Sequence, residues 1–346
     1  MSTTTTALEV VLPGRVEPHQ LELAHRELPP LRPGQALLRV EATGVSFAEQ
    51  QMRRGKYYDQ PAFPFVPGYD AVGTVVAVGG AADEALIGRR VAALTKTGGW
   101  SSHLILEAAD LIPVPAELPA DAAETFVVNG ITAWQMLHRI AKVRAGQTIL
   151  VHGANGGVGS TLVQLARLAG IRVIGTASAR NAEAVQALGA LPVDYRGDVV
   201  RQVREYTSDG VDAVFDHVGG PGIVDSFELL APGGTLVAYG SASTKDEEGN
   251  SRLPVLALLA RLMWWNLLPN RRSAHFYNIW AGQRRLTRFR NQLREDLTAV
   301  LDLAARGDLH AQIAARFPLR EAGKALALAE SRTVTGKVVL VADSED

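Results

Sequence analysis

Cysteine is absent from the sequence. Its absence excludes structural disulfides, thiolate nucleophiles, redox CxxC pairs and every zinc site that uses sulfur. Net charge is equally scarce: 35 basic residues against 36 acidic ones leave a formal charge of −1, so the whole chain offers no field for nucleic acid or an anionic membrane, and only a local patch stays open. Long apolar runs are missing too. The most apolar stretch, Pro254 to Pro269, has 16 residues, is interrupted by Arg261 and Asn266, and falls short of the roughly 20 needed to span a bilayer. Met1 to Ala7 is Ser/Thr-rich and has neither the basic start nor the apolar core of a signal peptide, so a cytoplasmic protein is expected.

What is present suits a soluble chain with two cores. The length of 346 residues predicts about two domains at roughly 150 residues each, and 47% hydrophobic content can fill both. The first third reads as short strands, Gln35 to Glu41, Gly73 to Val78 and Arg90 to Leu94, separated by the turns Pro33-Gly34, Gly79-Gly80 and Gly98-Gly99. From about Asp121 apolar strands alternate with amphipathic helices: Thr148 to His152, Arg172 to Thr176, Ala213 to Asp216 and Thr235 to Tyr239 are the strands. That alternation predicts an α/β fold with a parallel, doubly wound sheet. The tail holds a helix with apolar spacing at Leu293, Leu297, Val300, Leu301 and Ala304, then a closing strand from Lys337 to Val341.

The strongest chemical signal is the run from Val151 to Gly159, VHGANGGVG, which follows a strand and opens an apolar helix. Such a turn lets backbone N–H groups approach a pyrophosphate, and the helix N-terminus adds its positive dipole. Against GxGxxG the first glycine is Ala154, so Ala154, Gly156, Gly157, Val158 and Gly159 form the candidate cradle. In the next strand an acidic residue would bind the ribose hydroxyls of NAD. Here that strand ends Thr176-Ala177-Ser178-Ala179-Arg180, with no carboxylate. Ser178 and Arg180 can donate to a 2′-phosphate that Asp or Glu would repel, so NADP(H) is expected. A solvated loop arginine is the other reading of Arg180.

These landmarks, with Ala42 to Phe47 (ATGVSF), Phe65 to Gly73 (FVPGYDAVG), Asn129 to Trp134 (NGITAW), Val218-Gly219-Gly220 and Gly336 to Leu340, resemble the medium-chain dehydrogenase/reductases over most of the chain. The resemblance is to the zinc-independent quinone oxidoreductase and zeta-crystallin branch. It implies a GroES-like β-barrel catalytic domain, residues 1–125 and 286–346, a Rossmann NADP(H)-binding domain, residues 126–285, and a homodimer. The zinc ligands of the family's alcohol dehydrogenases fall at Ser46, Tyr69 and Val128, and the proton-relaying hydroxyl at Ala48, so metal-assisted alcohol oxidation is not expected. What the resemblance implies instead is hydride transfer from NADPH to a quinone or an α,β-unsaturated carbonyl.

The oxygen that gains charge in such a reaction needs hydrogen-bond donors. Tyr57, Tyr69 and Ser46 are the candidates, with Asp70 and Glu49 near Tyr69 as electrostatic tuners or as structural acceptors of backbone N–H groups. Family residues near the nicotinamide and the 2′-phosphate correspond to Thr132 and Tyr195, and Gly240 and Ser241 end a strand where doubly wound sheets present ligands. Each has a structural alternative: packing aromatic, back-bonding threonine, ordinary strand-ending turn. His152 and His217 read as structural histidines. The segment Pro254 to Trp280 could be a buried helix, a roof over the substrate or a cover for a neighbouring subunit. A cluster from Arg271 to Arg294 lacks the interleaved aromatics of an RNA-binding module and reads as a solvated face. An enoyl-thioester reductase and a non-catalytic NADPH-binding sensor or partner-binding protein stand as alternatives.

Overall fold

The computed structural model describes residues 5–240, 252–331 and 333–343. Two compact units emerge, Met1–Ile131 with Arg284–Asp346, and Thr132–Gln283.

The first unit opens with an antiparallel pair, β1 (Thr6–Val11) and β2 (Glu22–Glu27). A seven-stranded sheet follows, built from β3 (Gln35–Val45), β4 (Asp70–Val78), β5 (Arg90–Leu94), β6 (His103–Glu107), β7 (Ile112–Pro113) and two strands from the chain's tail. Between β3 and β4 lies the short helix α1 (Phe47–Arg53), and after β7 comes the start of α2 (Ala120–Trp134). The apolar alternation of β3 and β4 puts Leu38, Val40, Ala71 and Val75 into one core with Val91 and Leu111. Strand β3 is longer at its C-terminal end than its apolar pattern alone suggests, because its last residues Ala42 to Val45 pair with the tail.

The second unit is one parallel sheet. Its strands are β8 (Thr148–Val151), β9 (Arg172–Ala177), β10 (Leu191–Asp194), β11 (Val211–Asp216), β12 (Leu230–Ala238) and β13 (Ser273–Phe276). Their spatial order, β10-β9-β8-β11-β12-β13, reverses direction between β8 and β11. This is the doubly wound arrangement with a topological switch point beside β8, where ligands bind at the carboxyl ends of the strands. Helices α3 (Gly157–Leu168), α4 (Ala182–Ala187), α5 (Val199–Tyr206), α6 (Ile223–Glu228) and α7 (Arg252–Leu267) connect them. Ile149, Leu150 and Val151 of β8 are fully buried, as a central strand covered on both faces requires.

Strand β13 was not expected from the sequence. It is only four residues long and mixes Ser and His with Ala and Phe, so alternation is too brief to read. Tertiary contacts define it: the Asn266 side chain, at the end of α7, accepts from Ala274 N at 2.8 Å and donates to Ala274 O at 2.8 Å. Of the three readings of the Pro254 to Trp280 segment, the buried helix holds for one face of α7. Leu262 and Trp265 are buried, and the Trp265 ring stacks on Phe227 at 4.2 Å.

The tail returns to the first unit as α8 (Leu286–Ala305), β14 (Ile313–Pro318), α9 (Ala322–Glu330) and β15 (Lys337–Val341). All five apolar positions expected to face inward on α8, Leu293, Leu297, Val300, Leu301 and Ala304, are buried. Strand β15 pairs antiparallel with β3, Val338 opposite Val45. Among the described residues no helix is long and apolar enough to cross a membrane.

Candidate functional site

In the second unit the glycine turn occupies the carboxyl end of β8, at the switch point. Gly153 adopts φ +65°, and a Cβ there would stand 2.5 Å from His217 Cε1. At Gly159 a Cβ would meet Gly153 O at 2.1 Å. Side chains are thereby kept out of the turn, and the backbone lies open to a close approach. Ala154, which replaces the first motif glycine, is buried, and its N–H donates to Thr176 O at 2.9 Å. The turn is pinned again by Gly153 N donating to Thr176 Oγ1 at 3.1 Å. Gly156 is the N-cap of α3 and offers no capping side chain. The first helical N–H groups, of Gly157, Val158 and Gly159, therefore have no intrahelical acceptor and suit a phosphate.

The carboxyl end of β9 adds a second feature. Ser178 is buried and its Oγ has no hydrogen-bond partner. A buried hydroxyl without a partner costs about 1–3 kcal/mol, so an incoming acceptor or donor would recover that energy. Arg180, two residues on, is exposed. Tyr195 follows β10, is 54% exposed, and its backbone N–H donates to Ala177 O at 3.1 Å, which holds it at the same sheet end. The Arg196 guanidinium lies over the Tyr195 ring at 5.7 Å from the centroid. The sequence offered Arg196 only as part of the Asp194-Tyr195-Arg196 landmark, not as a site residue; its local signal was the stacking that Arg and Tyr favour.

Gly240, after β12, packs tightly: a Cβ would stand 2.6 Å from His217 O. Ser241 lies outside the described residues. Thr132 is buried near the end of α2.

Beneath the turn runs a buried polar chain that sequence reading did not foresee. Asp216, the last residue of β11, accepts from Val218 N at 2.7 Å, Gly219 N at 2.9 Å and Ser226 Oγ at 2.7 Å. Ser226 Oγ in turn lies 3.0 Å from His152 Nε2, and His152 Nδ1 lies 3.3 Å from Thr176 Oγ1. Burial pushes the His152 pKa down against the pull of Asp216, so the ring is neutral near pH 7. Its partners are structural, in keeping with the sequence reading of this histidine. Together these bonds fix the loops that carry Gly153 and Gly219.

In the first unit Glu49 links the backbone of Ser46 and Tyr69, and Tyr57 joins through the Tyr69 hydroxyl. Ser46 precedes α1, and its N–H donates to Glu49 Oε2 at 2.8 Å. Tyr69 N donates to Glu49 Oε1 at 2.7 Å. Of the two readings of Glu49, direct backbone bonding is the one observed. The Tyr69 hydroxyl meets the Tyr57 hydroxyl at 2.7 Å, with the rings edge to face at 6.2 Å. One proton occupies that bond, and Tyr58 packs on Tyr57 with ring centroids 4.6 Å apart. Burial, reinforced by Tyr69, pushes the Tyr57 pKa far up, so it stays a protonated donor. Ser46 Oγ is buried and has no hydrogen-bond partner.

Charged groups lie behind these donors. Lys337 Nζ donates to Asp70 Oδ2 at 2.8 Å and to Glu124 Oε1 at 2.5 Å, and all three residues are buried. Asp70 Oδ2 also accepts from Val128 N at 3.1 Å. Burial pushes the Glu124 carboxyl up, Lys337 opposes this and Asp70 adds to it. Glu49 rises to about 7, mainly through burial and then through Asp70, with Lys337 pulling the other way. Lys337 and Glu124 escaped sequence reading. The available signal was a lysine opening an apolar strand whose next three residues are buried.

The three positions that correspond to zinc ligands are thus engaged differently: Ser46 and Tyr69 share Glu49, and Val128 presents a buried isopropyl group. Among the described residues no group of three or more His, Asp or Glu side chains is placed to hold a metal ion.

Comparison with known proteins bears on family and fold. Residues 32–116 match the family model described as an alcohol dehydrogenase GroES-like domain, and residues 188–340 match a zinc-binding dehydrogenase model. The chain is 32% identical over 326 residues to the synaptic vesicle membrane protein VAT-1 homolog of Rattus norvegicus, covering 90% of this chain and 78% of that protein. Among solved structures, a quinone oxidoreductase of Pseudomonas syringae superposes with a TM-score of 0.80 at 28% identity, over 97% of this chain and 99% of that one. A mycobacterial protein solved in complex with NADPH gives 0.81 at 28% identity, over 97% and 99%.

Proposed function

Because the chain belongs to the zinc-independent medium-chain dehydrogenase/reductases, we propose that it is an NADPH-dependent reductase of quinones or α,β-unsaturated carbonyls. The observation that carries this reading is that Glu49 holds the backbone of Ser46 and Tyr69, two positions where the family's alcohol dehydrogenases hold zinc, while the Tyr69 hydroxyl bonds to that of Tyr57. Neutral hydroxyl donors suit an acceptor that develops charge on oxygen and needs no Lewis acid.

The cofactor is NADP(H), and the residues present fit it. Gly156 to Gly159 would hold the pyrophosphate, and Ser178, Arg180 and Tyr195 with Arg196 would hold the 2′-phosphate. When bound, the dinucleotide supplies the hydride. The protein's own part is to fix the donors. Glu49 orients the backbone at Ser46 and Tyr69, and Tyr57 fixes the Tyr69 hydroxyl. A substrate oxygen would accept from the hydroxyls of the tyrosine pair and from Ser46. Each preorganised donor of this kind contributes about 10²- to 10³-fold in rate.

Anaerobic NADPH consumption by the purified protein tests the reading, with ortho-quinones, para-quinones, linear enones and an enoyl thioester as acceptors and NADH alongside. Turnover with a quinone or enone is expected. Turnover confined to the thioester would move the substrate class, and tight NADPH binding without turnover on any acceptor would overturn the reductase reading.

A further inference from the structure

Helix α7 carries large apolar side chains on every side. A helix of that kind is ordinarily covered all round. One face is accounted for: Leu262 and Trp265 are buried in the core of the second unit, and Leu258 packs against it. The opposite face carries Leu256, Met263, Trp264 and Leu267, which are 59%, 70%, 61% and 77% exposed, with the exposed Ala260 among them. Their positions recur at three- and four-residue intervals, so they form a single stripe along the helix. Singly scattered surface hydrophobics need no explanation, but a contiguous stripe of Leu, Met and Trp marks a binding surface.

Charge indicates what covers the stripe. From Gly249 through Gln283, the last 35 residues of the second unit contain four arginines and no Asp or Glu. Within the second unit, Arg261 flanks the stripe on α7 and Arg271 follows the helix, and both are exposed. A second copy docked stripe to stripe would bring these cations against their own kind, an arrangement that interfaces avoid. An anionic lipid surface satisfies both features. Leu, Met and Trp enter the boundary between headgroups and acyl chains, while arginines meet the phosphates. With 16 residues, α7 reaches about 24 Å, short of the roughly 30 Å hydrocarbon core, which suits a helix lying on a bilayer.

We propose that the outer face of α7 is a docking surface for an anionic lipid bilayer, with the helix lying in the plane of the interface. The proposal does not depend on the reductase reading. It complements that reading, because quinones with long apolar tails dissolve in the bilayer.

Co-sedimentation of the full chain with vesicles tests it, using phosphatidylcholine alone and phosphatidylcholine mixed with phosphatidylglycerol. Binding to the anionic vesicles is expected, weakened by high salt and much weaker on phosphatidylcholine alone. The double variant Trp264→Ser, Leu267→Ser should lower the affinity by about tenfold or more, because two large side chains no longer enter the interface. Arg261→Glu with Arg271→Glu should remove the preference for anionic lipid. Circular dichroism and NADPH affinity of the variants check that the second unit remains folded. Failure of the parent protein to bind anionic vesicles, or binding that survives the Trp264 and Leu267 changes, would overturn the proposal. So would light scattering in which that double variant alone turns a dimer into a monomer, since the stripe would then be covered by a second copy.

Discussion

Glu49 accepts from two backbone N–H groups that belong to different segments, so its protonation state bears on both Ser46 and Tyr69. The carboxylate form has two acceptor oxygens for two donors; adding a proton places a hydrogen against one of them. With Glu49 near 7 and Asp70 and Lys337 as the charged neighbours, activity should rise with pH along a limb centred near 7. Glu49→Gln should abolish that limb and lower kcat/KM by about 10- to 100-fold through misplaced donors; an unchanged pH profile would separate Glu49 from the site. The stability sign is opposite. A carboxyl whose folded pKa is raised from 4.5 to about 7 holds its proton longer in the folded state, so its contribution is greatest below 4.5 and is lost as pH rises to 7. On the cofactor side, Arg180→Ala should raise KM for NADPH much more than for NADH, since only the former carries the 2′-phosphate. Equal effects on both would leave Arg180 the solvated loop arginine of the alternative reading.

At the level of the element, the strand–turn–helix unit from β8 to α3 was legible because three signals coincide: an apolar run, a glycine turn and an apolar helix. The reason for each glycine was not legible. Gly159 is required by Gly153 O, 2.1 Å from where a Cβ would lie, a contact that exists only once the turn has closed on the helix. Gly159→Val should therefore weaken NADPH binding by about 100-fold or more while leaving the first unit intact, because backbone must move to admit the side chain. Fluorescence titration with NADPH checks the affinity, and retention of it would show that the turn can relax. Strand β13 and the outer face of α7 were illegible for different reasons. The strand is too short for periodicity, and an apolar run does not reveal which of its sides is buried.

Across the first unit, the buried Asp70–Lys337–Glu124 group ties β4, α2 and β15, segments separated by up to 267 positions in the chain. Three carboxyls, counting Glu49, share one ammonium, so its removal leaves Asp70 without its counter-charge. Lys337→Met should cost about 3–5 kcal/mol, and adding Asp70→Asn should restore part of that loss. Thermal unfolding of the single and double variants checks both expectations; a single variant as stable as the parent would mean that the group contributes nothing net.

Composition, periodicity and the glycine turn determined by themselves that this chain builds a β-rich unit and a doubly wound sheet, without sulfur-bound zinc and with a dinucleotide cradle lacking the acidic residue of NAD-specific strands. Those properties depend on residue types and on spacings within some twenty positions, which a linear text preserves. Tertiary packing alone settled that Glu49 links Ser46 to Tyr69 and Tyr69 meets Tyr57, that Lys337 sits between Asp70 and Glu124, and that α7 turns Trp265 inward and Trp264 outward. Each of these outcomes depends on which distant segments share a desolvated space, and the energy of a buried charge or an exposed ring is fixed by that space and not by its neighbours in sequence.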